Sequence, residues 1–234
     1  MNRAQPYSLI LGAISGVAFA VLMFVGVAAV DPIREGSGQE FVDWWSVASN
    51  QEALLTSMYA RLLAVPVFMI FFTQLRTKLR ASERQSEWLD IATGGAIAFV
   101  VALALSGLLR GVIAQDVRIA DQELPGGDTL RFASMLSYQS YGLLVMGFAT
   151  VTMAAVSVVI LQTRMMGRWL GWTGIVIAAI SAIAVVALMG AFATPLVILW
   201  SLASSVELVR TRNAAPAAAS ARRVTPAGEV VLER

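Results

Sequence analysis

The chain has 234 residues, of which 58% are hydrophobic and 14% charged, and its formal net charge is +2. Apolar runs of the length seen here exceed what soluble cores use, and so small a charge excess, held at the edges of those runs, excludes a nucleic-acid surface. Cysteine and histidine are both absent, which removes disulfides, iron–sulfur clusters, thiolate or imidazole zinc sites, imidazole-ligated haem and any serine–histidine nucleophile.

No cofactor and no metal site is expected on that basis. Lys78 is the only lysine and lies in a basic loop, so a Schiff base at membrane depth has no candidate. Asp116, Asp121, Glu123 and Asp128 offer oxygen ligands in type but not at calcium-loop spacing and read as a solvated acidic face.

In chain order, residues 4–30 carry no charge, and about 20 apolar residues suffice to cross the hydrocarbon core. The first span is read as 7–30; its apolar stretch is longer than that of a signal peptide, so it is expected to be retained. The second, 54–75, contains Arg61 and Pro66. The third is 91–113 and the fourth 136–161. Residues 169–206 are uncharged throughout, and as one helix they would extend ~57 Å, nearly twice the core thickness. Gly190 followed by Thr194-Pro195 marks a break, giving a fifth span, 169–189, and a sixth, 195–209. The fold class is therefore all-α: a polytopic transmembrane helical bundle of six spans over residues 1–212, with 213–234 a disordered cytoplasmic tail rich in Ala, Pro, Ser and Arg.

Charge orients the bundle. Arg76, Lys78, Arg80 and Arg84 follow the second span, Arg164 and Arg168 the fourth, and Arg210 and Arg212 the sixth. The loops after spans one and three are acidic. The lysine–arginine bias places both termini in the cytoplasm of a cell-membrane protein. Trp44 and Trp45 then fall near the outer interface and Trp88, Trp169 and Trp172 near the inner one. Asp128 or Thr129 is positioned to cap the fourth helix.

Small residues recur at helical spacing, as close helix packing in lipid demands: Gly12, Gly16 and Ala20 in span one; Gly94, Ala98, Ala102 and Ser106 in span three; Gly174, Ala178 and Ala182 in span five. They serve packing within one bundle or a homodimer face. By this reading Val100 lies off the stripe. Ser15-Gly16 and Ser106-Gly107 resemble intramembrane serine-protease dyads, but without a histidine base they read as packing residues.

Arg61 stands apart. It lies about 10 Å into its helix, and an arginine at membrane depth costs about 2.5–3.5 kcal/mol, so it must face protein or water. Its candidate partners are Asp31, Ser106, Tyr138, Gln139 and Tyr141. These residues define either an outward-facing polar pocket or a structural arginine paired within the bundle. Glu207 and Arg110 sit near span ends, where charge is cheap, and receive no role.

The segment Arg164–Gly174 resembles a group of bacterial six-helix membrane proteins, domain of unknown function 4386. Arg168, Trp169, Leu170, Trp172 and Gly174 match its pattern, with Gly167 where proline is usual. An acidic residue often stands early in that family's last helix, whereas Glu207 comes late. The resemblance implies architecture across residues 7–210 and no activity.

Three function classes follow. A non-catalytic binding or interaction protein, contacting the lipid bilayer, a membrane-protein partner or an unidentified small-molecule ligand, is favoured. A small transporter for an anionic or amphipathic molecule is the alternative, and an intramembrane enzyme is third.

Overall fold

The structure is a computed structural model. It describes the backbone of residues 5–29, 36–81 and 86–222, and the side chains of 10–211 within those ranges. The chain is all-α: α1 (Gln5–Ala28), α2 (Gly38–Ser46), α3 (Ala48–Arg80), α4 (Glu87–Ile119), α5 (Gly127–Gln139), a π-helical segment (Ser140–Val145), α6 (Met146–Thr163), α7 (Arg168–Val186), a 3₁₀ turn (Gly190–Ala193) and α8 (Thr194–Arg222). Among the described residues, six stretches are long and apolar enough to cross a membrane, with α5, the π segment and α6 forming one of them and the 3₁₀ turn with α8 another. The protein is a multi-pass membrane protein.

The helices close into a ring. α1 packs on α3, α3 on α4, α4 on α6 and α6 on α7, while α8 returns to α1. Inside the ring lies an aromatic cluster, with Phe68 4.7 Å from Phe99 and 4.9 Å from Phe19 between ring centroids. Lipid tails are as apolar as these side chains, so dense contact rather than escape from water holds them together.

The stripe of span one works as the small residues suggest. Gly12, Gly16 and Ala20 are buried, and a Cβ on Gly16 would stand 2.7 Å from the Phe71 ring and would also collide with Ser205. The stripe of span three does not. Ser106 and Ala102 are buried, Ala98 is half-buried and Gly94 is exposed with open space around it. A strict four-residue ladder turns about 40° per step, hence about 120° from Ser106 back to Gly94, and so leaves the interface. The glycines that meet other helices are Gly95 against Thr152, Gly107 against Arg61 and Gly111 against Met58. Val100, expected off the packed face, is buried. In α7, Gly174 and Ala178 are buried, Ser181 continues the face and Ala182 is exposed.

Two segments read as loops carry helix. The segment after span one folds α2, opened by a capping box in which Ser37 N–H donates to Glu40 Oε2 at 2.8 Å. Phe41 and Trp45, four residues apart on one face, pack on Leu54, Ala114 and Leu130. Only Trp44 of the pair stays half-buried; Trp45 is inside. After span three, α4 runs on to Ile119, and α5 begins at Gly127 with Gly126 at its N-cap and no side-chain cap. Neither Asp128 nor Thr129 caps it, because the helix starts two residues too early for the first and three for the second; the Thr129 N–H bonds to the Gly126 carbonyl instead.

The break after α7 lies where it was read. Leu188 takes φ 60°, the 3₁₀ turn follows and Pro195 falls in the first turn of α8, where a missing N–H costs nothing. Helical backbone continues past Arg212 to Arg222, so the tail begins as an extension of α8. Pro66 lies within α3, which runs on through it.

Candidate functional site

Arg61 is 3% exposed. α3 carries it against the C-terminal turn of α1, and both it and Ser57, one turn earlier, reach the same acceptor. Arg61 Nε donates to the Gly26 carbonyl at 3.3 Å and Ser57 Oγ to the same oxygen at 2.5 Å. The last carbonyls of a helix have no intrahelical donor and sit at the negative end of its dipole, so a cation fits there. Gly26 and Gly107 make room: a Cβ on either would stand 3.0 Å and 3.2 Å from the aliphatic stem of Arg61.

The guanidinium lies over the Tyr141 ring, with Cζ 4.3 Å from its centroid. A π segment is a local widening of the helix, often found at functional positions; here it carries Tyr141 to Arg61. The Tyr141 hydroxyl in turn sits 2.9 Å from Thr194 Oγ1, and Thr194 donates to the Ala191 carbonyl at 2.7 Å. The chain Gly26–Arg61–Tyr141–Thr194 thus ties the end of α1 to the start of α8. Arg61 Nη1 is buried and has no hydrogen-bond partner among the described residues, nor does any described carboxylate form an ion pair with it.

Of the residues expected around Arg61, Tyr141 is its neighbour. Ser106 is buried, but its hydroxyl donates to the Leu103 carbonyl of its own helix at 2.9 Å. Tyr138 and Gln139 are half-buried on the turn before Tyr141. Asp31 lies outside the described residues. The partner that sequence could not supply is the Gly26 carbonyl, since a backbone acceptor leaves no mark in residue type.

Two charges passed over in the sequence are buried. Arg110 lies on α4 one turn from Gly107 and within electrostatic range of Tyr141. Glu207, at 2% exposure, accepts from Trp169 Nε1 at 2.7 Å and pairs with Arg210 at 3.5 Å. Gly167 allows that approach: a Cβ there would stand 2.6 Å from Trp169 Nε1 and 3.0 Å from Glu207 Oε1. The tryptophan of the basic motif before α7 is therefore a latch to α8 as well as an anchor. Their nearness to span ends concealed both charges, because depth along a helix says nothing of what covers it.

Ser15 donates to the Leu11 and Gly12 carbonyls. Like Ser106, it spends its hydroxyl on its own helix, the pattern of a packing residue. No group of three or more potential metal ligands occurs among the described residues. No protein-family model, no curated protein and no solved structure matches the chain.

Proposed function

We propose that this chain is a cell-membrane protein with both termini cytoplasmic that acts by binding rather than by chemistry. Arg61 is the contacting group in this reading, and its ligand carries an anionic group. The supporting observation is the orphaned Nη1: a guanidinium held in place by one carbonyl and one ring face, with donor capacity left over. A buried unmatched charge is costly, and a ligand anion would offset that cost. The surrounding side chains close over Arg61, so the site opens for its ligand rather than standing as a permanent outward-facing pocket.

A transporter for an anionic or amphipathic molecule is the second reading. The π segment beside Arg61 and the 3₁₀ break before α8 support it, since interrupted helices commonly frame transport sites. We also propose that the Arg168–Gly174 motif, which resembles that of the six-helix family named above, serves to fasten α7 to α8 through Trp169 and Glu207.

The binding reading is tested by thermal melting of detergent-purified wild type and Arg61→Leu against a panel of organic anions and anionic lipids. At least one anion should raise the wild-type melting temperature and leave Arg61→Leu unmoved. A large drop in melting temperature for Arg61→Leu, with no response of wild type to any anion, would reduce Arg61 to a bundle-locking residue. Orientation is tested separately. In this cysteine-free chain, Ser37→Cys and Gln122→Cys should react with an impermeant thiol reagent on intact cells, and Ser82→Cys should not; labelling at Ser82 reverses the topology.

A further inference from the structure

A cavity of about 20 Å³ lies inside the ring of helices, farther from α2 than Arg61 is. Its walls include Phe68, Phe72, Phe99, Ala149, Val197 and Trp200. The two hydroxyls that border it are spent on their own helices: Thr152 donates to the Phe148 carbonyl at 2.8 Å and Ser201 to the Val197 carbonyl at 2.9 Å. The Trp200 indole nitrogen is turned to Gly174 of α7. By volume the space would hold one water, but a buried water needs several polar partners. A cavity furnished in this way stays dry and suits hydrocarbon.

The walls of this cavity continue those of the Arg61 centre. On α3, Phe68 follows Arg61 by seven residues, with the small, fully buried Ala64 between them. On α4, Gly107 meets Arg61 and Phe99 meets Phe68. Past Tyr141 the chain reaches Ala149 on α6, and past Thr194 it reaches Val197 on α8. The same helices therefore carry a polar level and, about 10 Å along the bundle by helical rise, an apolar one. At the first level the Arg61 Nη1 has no hydrogen-bond partner among the described residues. At the second there is unfilled space between aromatic rings. A molecule with an anionic head and a hydrocarbon end that far apart would satisfy both at once.

We propose that the ligand of the Arg61 centre is an amphipathic carboxylate of medium chain length, with its head on the guanidinium and the end of its tail among Phe68, Phe99 and Trp200. The proposal rests on the binding reading given above and adds the class and length of the ligand. A carboxylate suits the head because it accepts from more than one guanidinium N–H. An extended octanoate matches the separation of about 10 Å. The cavity holds only the last carbons, so the middle of the chain needs side chains to move. Met146, buried on α6 between the two levels, is unbranched and repacks readily.

The test uses full-length protein in a sugar detergent at fixed pH and ionic strength. Melting is followed with acetate, butanoate, octanoate and dodecanoate, each below its micelle concentration, and with octan-1-ol. Octanoate should raise the melting temperature most, and octan-1-ol, which has the tail without the charge, should not raise it. Arg61→Leu should weaken octanoate binding at least about tenfold, the worth of one hydrogen bond to a charged group. Ala149→Leu fills the cavity and should move the optimum toward butanoate; Phe72→Leu enlarges it and should move the optimum toward dodecanoate. Opposite shifts of this kind cannot come from a general loss of folding. If acetate or an unrelated anion serves as well as octanoate, the tail site is refuted while the binding reading stands. If no anion acts on wild type, both fall. An octanoate effect that octan-1-ol reproduces, that survives Arg61→Leu, or whose optimum moves in neither cavity variant also overturns the proposal.

Discussion

Arg61 and Glu207 are the two buried charges whose contacts are best defined, and they stand at opposite ends of the bundle. Arg61 lies beside Gly26 at the C-terminal end of α1, whereas Glu207 and its neighbour Leu208 lie toward the other end, where Leu208 faces Gly12. Both are almost fully enclosed. Glu207 meets a fitting donor in the Trp169 indole and a counter-ion in Arg210. Arg61 meets a shared carbonyl and a ring face, and its Nη1 has no hydrogen-bond partner among the described residues. Burial alone therefore does not distinguish the two charges; the balance of their partners among the described residues does.

The largest expected effect attacks the shelf on which Arg61 rests. Gly107→Val forces α3 and α4 apart, since the first added carbon already stands 3.2 Å from Arg61 Cβ and 3.5 Å from the Met58 carbonyl. A loss of about 3 kcal/mol is expected, at the upper range of overpacking, read by denaturation in detergent. Tolerance of valine would mean that the Arg61 end is loose, and the contrast with Glu207 would lose its geometric basis.

Next comes the latch itself. Glu207→Ala removes the charged acceptor of the part-buried Trp169 N–H bond and should lose about 2 kcal/mol, the worth of a hydrogen bond to a charged group, while Trp169→Phe in the Glu207→Ala background should add little. Additive losses in the double variant would show that the two side chains act separately. Arg61→Leu should cost less than about 1 kcal/mol without ligand, because removing an incompletely matched buried charge also removes its desolvation penalty and Ser57 still serves the Gly26 carbonyl. A loss equal to that of Glu207→Ala would make the two charges alike. The smallest effect is Gly94→Ala. Nothing lies within 4 Å of the added carbon, so the change should gain about 0.5 kcal/mol from reduced backbone freedom, as a control for helix variants that touch neither charge.

Sequence alone located the spans, because a helix in lipid has to be about 20 apolar residues long, and it located Arg61, because an arginine there is expensive. It also named Tyr141 among the polar residues opposite. It could not supply the rest, for specific reasons. The Gly26 carbonyl is invisible in residue type. Arg110 looked exposed until α2, a segment read as loop, covered its end of the bundle. Glu207 looked peripheral because its partner Trp169 comes from a motif that reads equally well as an interface anchor. The stripe of span three was misread by treating four residues as one full turn.

The π segment carries a consequence for how such a protein diverges. It holds one residue more than an α-helix spends on the same rise, and each helical residue turns the chain by about 100°. Deleting one codon at Leu143 would join α5 and α6 in a single α-helical phase. Everything before the deletion would swing by about that angle, carrying Tyr141 off the Arg61 guanidinium. The hydrophobic length of the span would hardly change, so insertion in the membrane would survive. A single in-frame indel thus parts Tyr141 from Arg61, and the polar centre can be assembled or dismantled in one genetic step.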